Sequence, residues 1–247
     1  MKEERFEKIM ELLESNTFVT VEELSHKLYV SMPTVRRDLN ELQRMGQVIR
    51  SHGGAMRRSS ISEGQPMRIR SSVNAAEKMR LSQAAAKLLH NDCVVFLDES
   101  TTTQHIIEYI PDYKNITVVT NSLALLLQLN KYDIPAYCTG GKLDTINQSF
   151  VGSIAEENIS RFNIDIMFFS TSAINEKSII VDYCEEANDL RRMALPYAHK
   201  KVFLCDSSKF GKRAAHTLCL LSEVDTILVD APLPDYMETG GAEVIVI

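Results

Sequence analysis

The sequence predicts an α/β protein of two domains, a small helical domain at the N-terminus and a larger one built on a mainly parallel sheet. Apolar residues recur with helical spacing up to residue 45, whereas helical stretches alternate with β-branched runs beyond residue 75. The 247 residues suffice for two hydrophobic cores. With 45% hydrophobic and 24% charged residues, disordered and fibrous classes are excluded. We place the domains at 1–57 and 75–247, with a linker at 58–74.

The first two helices follow from spacing and capping. Four apolar residues lie on one face of a predicted helix over residues 2–14: Phe6, Ile9, Met10 and Leu13. A second helix is predicted to start at Val21, because Thr20 and Glu23 have the spacing of a capping box.

A third helix is predicted from Ser31, a candidate N-cap, to about Met45, before Gly46. Its apolar positions, Val35, Leu39 and Leu42, lie on one side. The opposite side is basic and exposed, and it carries Pro33, Arg37, Asn40 and Arg44, with Arg36 on its flank. A short helix, a tight turn and a helix of this kind suit the major groove of DNA, where arginine can contact guanine or phosphate.

The segment after this helix is predicted to form a β-wing. Residues 47–52 have extended propensity, and Gly53-Gly54 can turn the chain back. The wing would carry Arg50, His52, Arg57 and Arg58 along the DNA backbone. The predicted DNA-binding residues are Ser31, Pro33, Thr34, Arg36, Arg37, Asn40, Arg44, Arg50 and His52. The alternative, a solvated amphipathic helix with scattered arginines, explains the cap, turn, face and wing less well.

Charge is distributed unevenly between the two halves. The whole chain has a formal charge of −6, but residues 1–70 carry 12 basic and 10 acidic side chains, and the remainder carries 15 and 23. Eight of the N-terminal basic residues are arginines between 36 and 70. A local cationic stripe on an acidic protein indicates an anionic partner.

Beyond residue 75 the pattern repeats helix and strand. Predicted helices cover about 75–90, 102–110, 122–129, 151–161 and 187–198. Predicted strands cover 94–97, 116–119, 134–138, 164–169 and regions near 178–181, 201–205, 226–229 and 243–247. Such an alternation calls for a parallel sheet covered by helices.

Polar segments follow several of the predicted strands, at the sheet edge where ligands bind in such folds. Two of them open helices, whose free N–H groups and hydroxyls can hold a phosphate; a third contains a glycine pair and a fourth contains a lysine. The predicted ligand-binding residues are Asp98, Ser100, Thr101, Thr102, Thr103, Thr120, Asn121, Ser122, Gly140, Gly141 and Lys209. Singly, a Ser or Thr before a helix is more often a simple N-cap, but together these segments favour a site for a small anionic ligand.

Other classes of protein and site are excluded or disfavoured. No apolar run is long enough to span a membrane, and the charged start does not have the pattern of a signal peptide. Five scattered cysteines without a C-x-x-C pair fit a reducing cytoplasm. The six histidines have no metal-ligand spacing, and motifs of nucleotide-binding or hydrolytic enzymes are missing. We therefore predict no cofactor, no metal and no catalytic residue.

The N-terminal motifs resemble one family closely. The run from Val21 to Leu42, with Thr34-Val-Arg-Arg-Asp-Leu39 at its centre, and the segment His52-Gly-Gly-Ala55 resemble the signature of DeoR-type (deoxyribose-operon repressor) transcriptional regulators. In the second domain Glu77-Lys78, the segment after Leu97, Val119–Ser122, Gly140-Gly141, Val151-Gly152, Asp165 and Asp206–Gly211 follow the family's order.

The resemblance implies a C-terminal sensor domain of the ribose-5-phosphate isomerase/CoA-transferase type, which in relatives binds phosphorylated sugars or related metabolites. The chain departs from the family's usual glycine at Ser100, and from its glycine-bearing loops at Ser172-Ala173 and Glu176-Lys177. Glu99 also places a negative charge beside the predicted phosphate site.

The function predicted is therefore a cytoplasmic regulator, a repressor of a carbohydrate-metabolism operon, that binds a double-stranded DNA operator and responds to a phosphorylated sugar. Since one winged module covers little DNA, a homodimer or homotetramer is expected. Two alternatives stay open. The sensor could be purely structural, or the chain could be an isomerase-like enzyme with a DNA-binding module, although no motif arranges Asp98, Glu99, Asp206 and Lys209 as an acid/base set.

Overall fold

A computed structural model describes residues 2–14, 16, 18–45, 47–51, 53–57 and 67–247. The chain forms two compact units, Met1–Val73 and Asn74–Ile247. Gly46 and His52, and most of the predicted linker, lie outside the described residues.

The N-terminal unit contains helices α1 (Lys2–Glu14), α2 (Val21–Leu28), α3 (Met32–Arg44) and α4 (Met67–Arg70), and strands β1 (Val19–Thr20), β2 (Val48–Ser51) and β3 (Gly54–Arg57). The three strands form an antiparallel sheet in the order β1-β3-β2. Apolar side chains of α1, α2, α3 and the sheet share one core that includes Ile9, Leu24, Val35 and Leu39. The predicted helices and wing are confirmed, and the capping box of Thr20 and Glu23 is formed. A one-turn helix, α4, lies where the sequence predicts an irregular linker.

The second unit is an α/β structure. Its helices are α5 (Ala75–Ala86), α6 (Leu123–Leu129), α7 (Ser153–Ile159) and α8 (Glu185–Ala194). Its strands are β4 (Val94–Leu97), β5 (Thr117–Thr120), β6 (Ala136–Cys138), β7 (Lys142–Asp144), β8 (Ser149–Val151), β9 (Ile164–Phe169), β10 (Ala173–Ile174), β11 (Ile179–Asp182), β12 (Ala198–Cys205), β13 (His216–Leu220), β14 (Thr226–Val229) and β15 (Glu243–Val246).

Seven strands form the main sheet in the order β15-β14-β12-β9-β4-β5-β6, and all its pairs are parallel. Alternate residues of the strands belong to two separate cores, as Phe168 and Phe169 of β9 show. The predicted mainly parallel sheet is confirmed, and both of its faces are apolar. Because the strands are parallel, their carboxyl ends bring Asp98, Asn121, Thr139, Ser170 and Asp206 to one edge of the sheet.

Three predictions about elements are corrected. The helix expected at 102–110 is a 3-10 helix, Thr103–Asp112, in a segment whose β-branched residues and Pro111 disfavour the α-helix. Helix α8 ends at Ala194 instead of 198, because Pro196 has no N–H to donate to a carbonyl four residues earlier. The chain continues as a short 3-10 helix, Leu195–Tyr197. The strand near 178–181, β11, is not part of the main sheet. It follows a tight turn and pairs antiparallel with β10 and β13.

Candidate functional sites

In the N-terminal unit, α3 is fixed to α1 by a part-buried ion pair. Arg5 Nε lies 2.6 Å from Asp38 Oδ2, and Arg5 Nη2 donates to Oδ1 at 3.0 Å. Asp38 is buried and is accordingly not part of the exposed face. A two-point contact of this kind fixes the helix orientation as well as its position.

A tight turn separates α2 from α3. Tyr29 adopts a left-handed conformation with φ of 55°, and Ser25 Oγ donates to the Val30 carbonyl at 2.6 Å. Ser31 is the N-cap residue of α3, as predicted, but its hydroxyl contacts Thr34 Oγ1 at 2.9 Å instead of bonding to the backbone. The helix-turn-helix arrangement is therefore formed by backbone geometry and the core.

The predicted DNA-contacting side chains of α3 lie on its solvent face. Exposed residues are Ser31, Pro33, Arg36, Arg37, Asn40 and Arg44, and Thr34 is half-buried. Within the part of the chain that the structure describes, Arg36, Arg37 and Arg44 make no ion pair or hydrogen bond. By contrast, Arg50 of the wing donates to Asn40 Oδ1, so the wing is tied to α3 and Asn40 is partly occupied. His52 lies outside the described residues.

In the C-terminal unit, Asp98 organises the loop after β4. Its Oδ1 accepts hydrogen bonds from the Ser100 N–H at 3.1 Å and the Thr103 hydroxyl at 2.9 Å. Its Oδ2 accepts from the Ser170 N–H at 3.2 Å and from Arg191 Nε at 2.9 Å. Asp98 is fully buried, so it shapes the loop and joins it to β9 and α8.

Arg191 of α8 lies at the centre of a buried charge cluster that sequence reasoning missed. Besides Asp98, it binds Asp182 Oδ2 through Nη1 at 2.9 Å, Asn188 Oδ1 through Nη1 at 3.3 Å, and Glu99 Oε1 through Nη2. We call these five residues the Arg191 cluster. Burial disfavours the guanidinium cation, but Glu99, Asp98 and Asp182 outweigh that effect and raise the pKa of Arg191 further. Its cation is thus permanent.

Glu99 lies inside this cluster and does not point away from the sheet edge. Besides Arg191, it binds Asn121, whose Nδ2 donates to Glu99 Oε2 at 2.9 Å. Burial raises the pKa of Glu99, and the nearby Asp98 adds to this, although Arg191 opposes both. Among the described residues, the other carboxamide atom, Asn121 Oδ1, has no hydrogen-bond partner, and neither has Ser149 Oγ of β8. Both side chains are fully buried.

The predicted hydroxyl residues divide into two groups. Those of Ser100, Thr103, Thr120 and Ser122 bind within the fold: for example, Thr120 Oγ1 donates to the Leu97 carbonyl at 2.6 Å, and Ser122 Oγ caps α6 by accepting from the Leu125 N–H at 3.3 Å. Those of Thr101 and Thr102 make no hydrogen bond among the described residues, although both residues are buried. The second group is available to a ligand.

The glycine pair after β6 allows the β7–β8 hairpin to pack closely. Gly141 has φ of +107°, and a Cβ there would lie 2.6 Å from the Val151 carbonyl oxygen. Gly140 also has a positive φ, of +67°. The hairpin in turn brings Ser149 beside Ser122, through an isolated antiparallel bridge.

Lys209 lies after β12, close to β9. Its Nζ donates to Ser170 Oγ at 2.8 Å and lies 3.7 Å from Asp206 Oδ2. Asp206 also accepts from Asn74 Nδ2 at 2.9 Å and from the Ser208 hydroxyl. Burial acts to raise the pKa of Asp206, but Lys209, Ser208 and Asn74 outweigh it and lower that pKa.

The structure thus gathers the residues predicted after β4, β5, β6 and β12 at the carboxyl edge of one sheet. Sequence reasoning missed Arg191, Asp182 and Ser149 as members. A signal for Arg191 exists, since Ala187, Leu190, Arg191 and Ala194 recur at helical spacing and all are buried.

Among the described residues, no group of three His, Cys, Asp or Glu side chains has the geometry to hold a metal ion. Nor does any helix in the described ranges combine the length and apolar character needed to cross a membrane.

Comparison with known proteins assigns both units. Residues 5–61 match the family model described as the DeoR-like helix-turn-helix domain, and residues 73–231 match the DeoR C terminal sensor domain. The chain belongs to the DeoR family. It is therefore a DNA-binding transcriptional regulator with a C-terminal sensor domain, as the motifs predict.

Several DeoR-type relatives are similar over nearly their whole length. The chain is 32% identical to the HTH-type transcriptional regulator GlpR of Haloferax volcanii, covering 98% of this chain and 96% of that one. It is 33% identical to the L-fucose operon activator of Haemophilus influenzae, covering 95% and 94%, and 30% identical to the glycerol-3-phosphate regulon repressor of Escherichia coli, covering 94% and 92%. Similar solved structures include ribose 5-phosphate isomerase A of Methanocaldococcus jannaschii, at 17% identity and a TM-score of 0.41 over 56% of this chain and 55% of that one.

Proposed function

We propose that this DeoR-family regulator represses a carbohydrate-metabolism operon, and that a phosphorylated sugar or related metabolite bound in the sensor unit changes its affinity for a double-stranded operator. The observation that carries the DNA-binding role is the solvent face of α3, where Arg36, Arg37 and Arg44 have no partner among the described residues. Such guanidinium groups can bind guanine or phosphate without first breaking an ion pair.

The sensor role is supported by two hydroxyls that have no partner among the described residues and by a nearby cation, all at the same sheet edge. The Thr101 and Thr102 hydroxyls and the Lys209 ammonium lie on loops at the carboxyl ends of β4 and β12, where a phosphate would find donors and a positive charge. The names of two relatives, a glycerol-3-phosphate regulon repressor and an L-fucose operon activator, support a link to carbohydrate metabolism. Because one winged unit covers few base pairs, we further propose that the chain acts as a homodimer or homotetramer on repeated half-sites.

The DNA-binding role is tested on an operator selected from random duplexes by the purified full chain. Arg37→Ala should weaken binding of this operator by about 1–3 kcal/mol if Arg37 contacts a base, or lower the salt slope by about one if it contacts phosphate. Arg161→Ala, the same change at an exposed site of the sensor unit, is the control. A salt titration that does not distinguish Arg37→Ala from the control would remove Arg37 from the interface. Sedimentation of the free and DNA-bound chain gives the oligomeric state.

The sensor role is tested by thermal unfolding with a panel of sugar monophosphates of three to six carbons, since a ligand that binds the native state raises its stability. Lys209→Ala should abolish the shift while leaving operator binding unchanged; Lys212→Ala, at an exposed neighbour, should not. If no member of the panel stabilises the wild-type chain, the sugar-phosphate role is wrong. If a bound sugar phosphate is turned over, the chain is an enzyme as well.

A further inference from the structure

The two ends of the candidate ligand site differ in chemistry. At one end Lys209 and the hydroxyls of Thr101 and Thr102 offer a cation and donors. At the other end are Glu99 and Asn121, which belong to or touch the Arg191 cluster. The site can therefore orient an asymmetric ligand.

At the second end the cation is already occupied. The guanidinium of Arg191 donates to three carboxylates and to Asn188 Oδ1, and its Nη2 is bound to Glu99. Three acids face one base, so this end carries excess negative charge even when one acid is protonated. An anionic ligand group placed here would meet repulsion in a buried site of low dielectric and would find no free cation.

The unmet hydrogen-bonding capacity at this end calls for a donor. Asn121 Nδ2 and Oδ1 are bonded to the same carboxamide carbon, and Nδ2 donates to the Glu99 carboxylate. The unpartnered Oδ1 therefore lies close to that carboxylate. An amide oxygen only accepts, and the Ser149 hydroxyl, also unpartnered, can do either. A ligand hydroxyl or ammonium satisfies such acceptors, whereas a phosphate or carboxylate does not.

We propose that Glu99 makes the sensor site selective for a metabolite with a single anionic group, whose hydroxyl or amino end lies against Glu99, Asn121 and Ser149. Metabolites that are anionic at both ends are excluded, because Glu99 occupies Arg191 and no other described cation at this end is available. This inference rests on the proposed sensing of a phosphorylated sugar and names the class of that ligand.

The selectivity is measured as the ratio of dissociation constants for matched pairs, each monophosphate of the panel against the bisphosphate of the same sugar, by calorimetry on the full chain. We expect the wild-type chain to bind the monophosphate at least about tenfold more tightly than the bisphosphate. A tenfold ratio of dissociation constants corresponds to about 1.4 kcal/mol of binding free energy, which repulsion between buried like charges readily supplies. Glu99→Ala frees Arg191 Nη2 and removes one of three acids, so the preference should fall to within about threefold or reverse. Glu157→Ala, at an exposed glutamate, is the control and should keep the wild-type ratio.

Equal or tighter binding of the bisphosphate by the wild-type chain would overturn the inference while leaving the sensor role intact, and so would an unchanged ratio in Glu99→Ala. If no monophosphate binds the wild-type chain, the proposed sensor role fails and the inference with it. Should Glu99→Ala not fold, Ser149→Ala provides the second measurement. It should weaken binding of the sugar monophosphate several-fold more than it weakens binding of a deoxy analogue that lacks the hydroxyls remote from the phosphate. Equal weakening of both compounds would contradict the placement of the hydroxyl end.

Discussion

Replacing Arg191 by methionine should destabilise the sensor unit strongly. The methionine keeps much of the side-chain volume but leaves Asp98, Glu99 and Asp182 without their counter-ion, and the side chains of these acids are only 0%, 3% and 12% exposed. Removing one partner of a buried ion pair typically costs about 3–5 kcal/mol, because the remaining charge is buried without compensation. For a unit of about 170 residues this corresponds to a fall in Tm of roughly 6–20 °C.

The assay is thermal unfolding of the full chain followed by calorimetry, with Arg192→Met as a matched control. Arg192 is the next residue of the same helix, but it is half-exposed and pairs with Asp189 at the surface, so its loss should cost no more than about 1 kcal/mol. A Tm for Arg191→Met within a degree of that of Arg192→Met would refute the assignment of Arg191 as a buried counter-ion.

The pH dependence of the wild-type unit gives a second check on the same cluster. Burial raises the pKa of folded Glu99 above its ordinary value of 4.5, so the folded state holds a proton that the unfolded state has released. The contribution of Glu99 to stability is therefore fully present below about pH 4.5 and is lost as the pH rises through the folded pKa. Glu99→Gln, which cannot ionise, should remove this part of the pH dependence; an unchanged profile would contradict the raised pKa.

Two further predictions concern other parts of the chain. Gly54→Ala should disrupt the wing and weaken operator binding, because its Cβ would lie 2.4 Å from both the Val19 carbonyl oxygen and the Phe18 ring; an unchanged Tm and affinity would show that the sheet can move aside. Asp206→Asn should lower the stability at pH 7 by roughly 1–3 kcal/mol, since the lowered pKa of Asp206 reports a carboxylate stabilised by its neighbours. That loss should shrink as the pH falls below 3.8 and through the folded pKa, and a loss independent of pH would contradict it.

Local signals were enough to predict most of the fold. The capping box at Thr20, the apolar stripe of α3 and the β-branched runs of β4, β9 and β14 each depend on residues close in sequence, and each is confirmed. Parallel pairing then placed the polar loops at one edge without further information. The strands β7, β8, β10 and β13 were missed because none of them contains a run of β-branched residues like those of β4 and β14.

The Arg191 cluster could not be predicted in the same way. Helical spacing can place Arg191 on the buried face of α8, but its partners Asp98 and Glu99 lie 93 and 92 residues earlier in the chain. They meet Arg191 because β4 and β9 are neighbours in the sheet and α8 shares a core with both strands. The order of strands in a sheet cannot be predicted from local sequence patterns. An arginine on an apolar stripe, in a chain with acids at strand ends, is the pattern that would have suggested it.

The cluster also changes what the departures from the family pattern mean. Ser100 is not among the described residues with positive φ, so the backbone there does not require the family's usual glycine, and the Ser100 hydroxyl accepts a hydrogen bond from the Thr103 N–H. Glu99 is held by Arg191 and Asn121. A purely structural sensor would gain stability from apolar residues in place of polar atoms such as Asn121 Oδ1 and Ser149 Oγ, because a buried polar atom without a partner costs about 1–3 kcal/mol. These unpartnered polar atoms lie beside the loop that contains Glu99 and Ser100. They therefore favour the view that the sensor unit still binds a ligand, of a different kind, over the view that it has lost ligand binding.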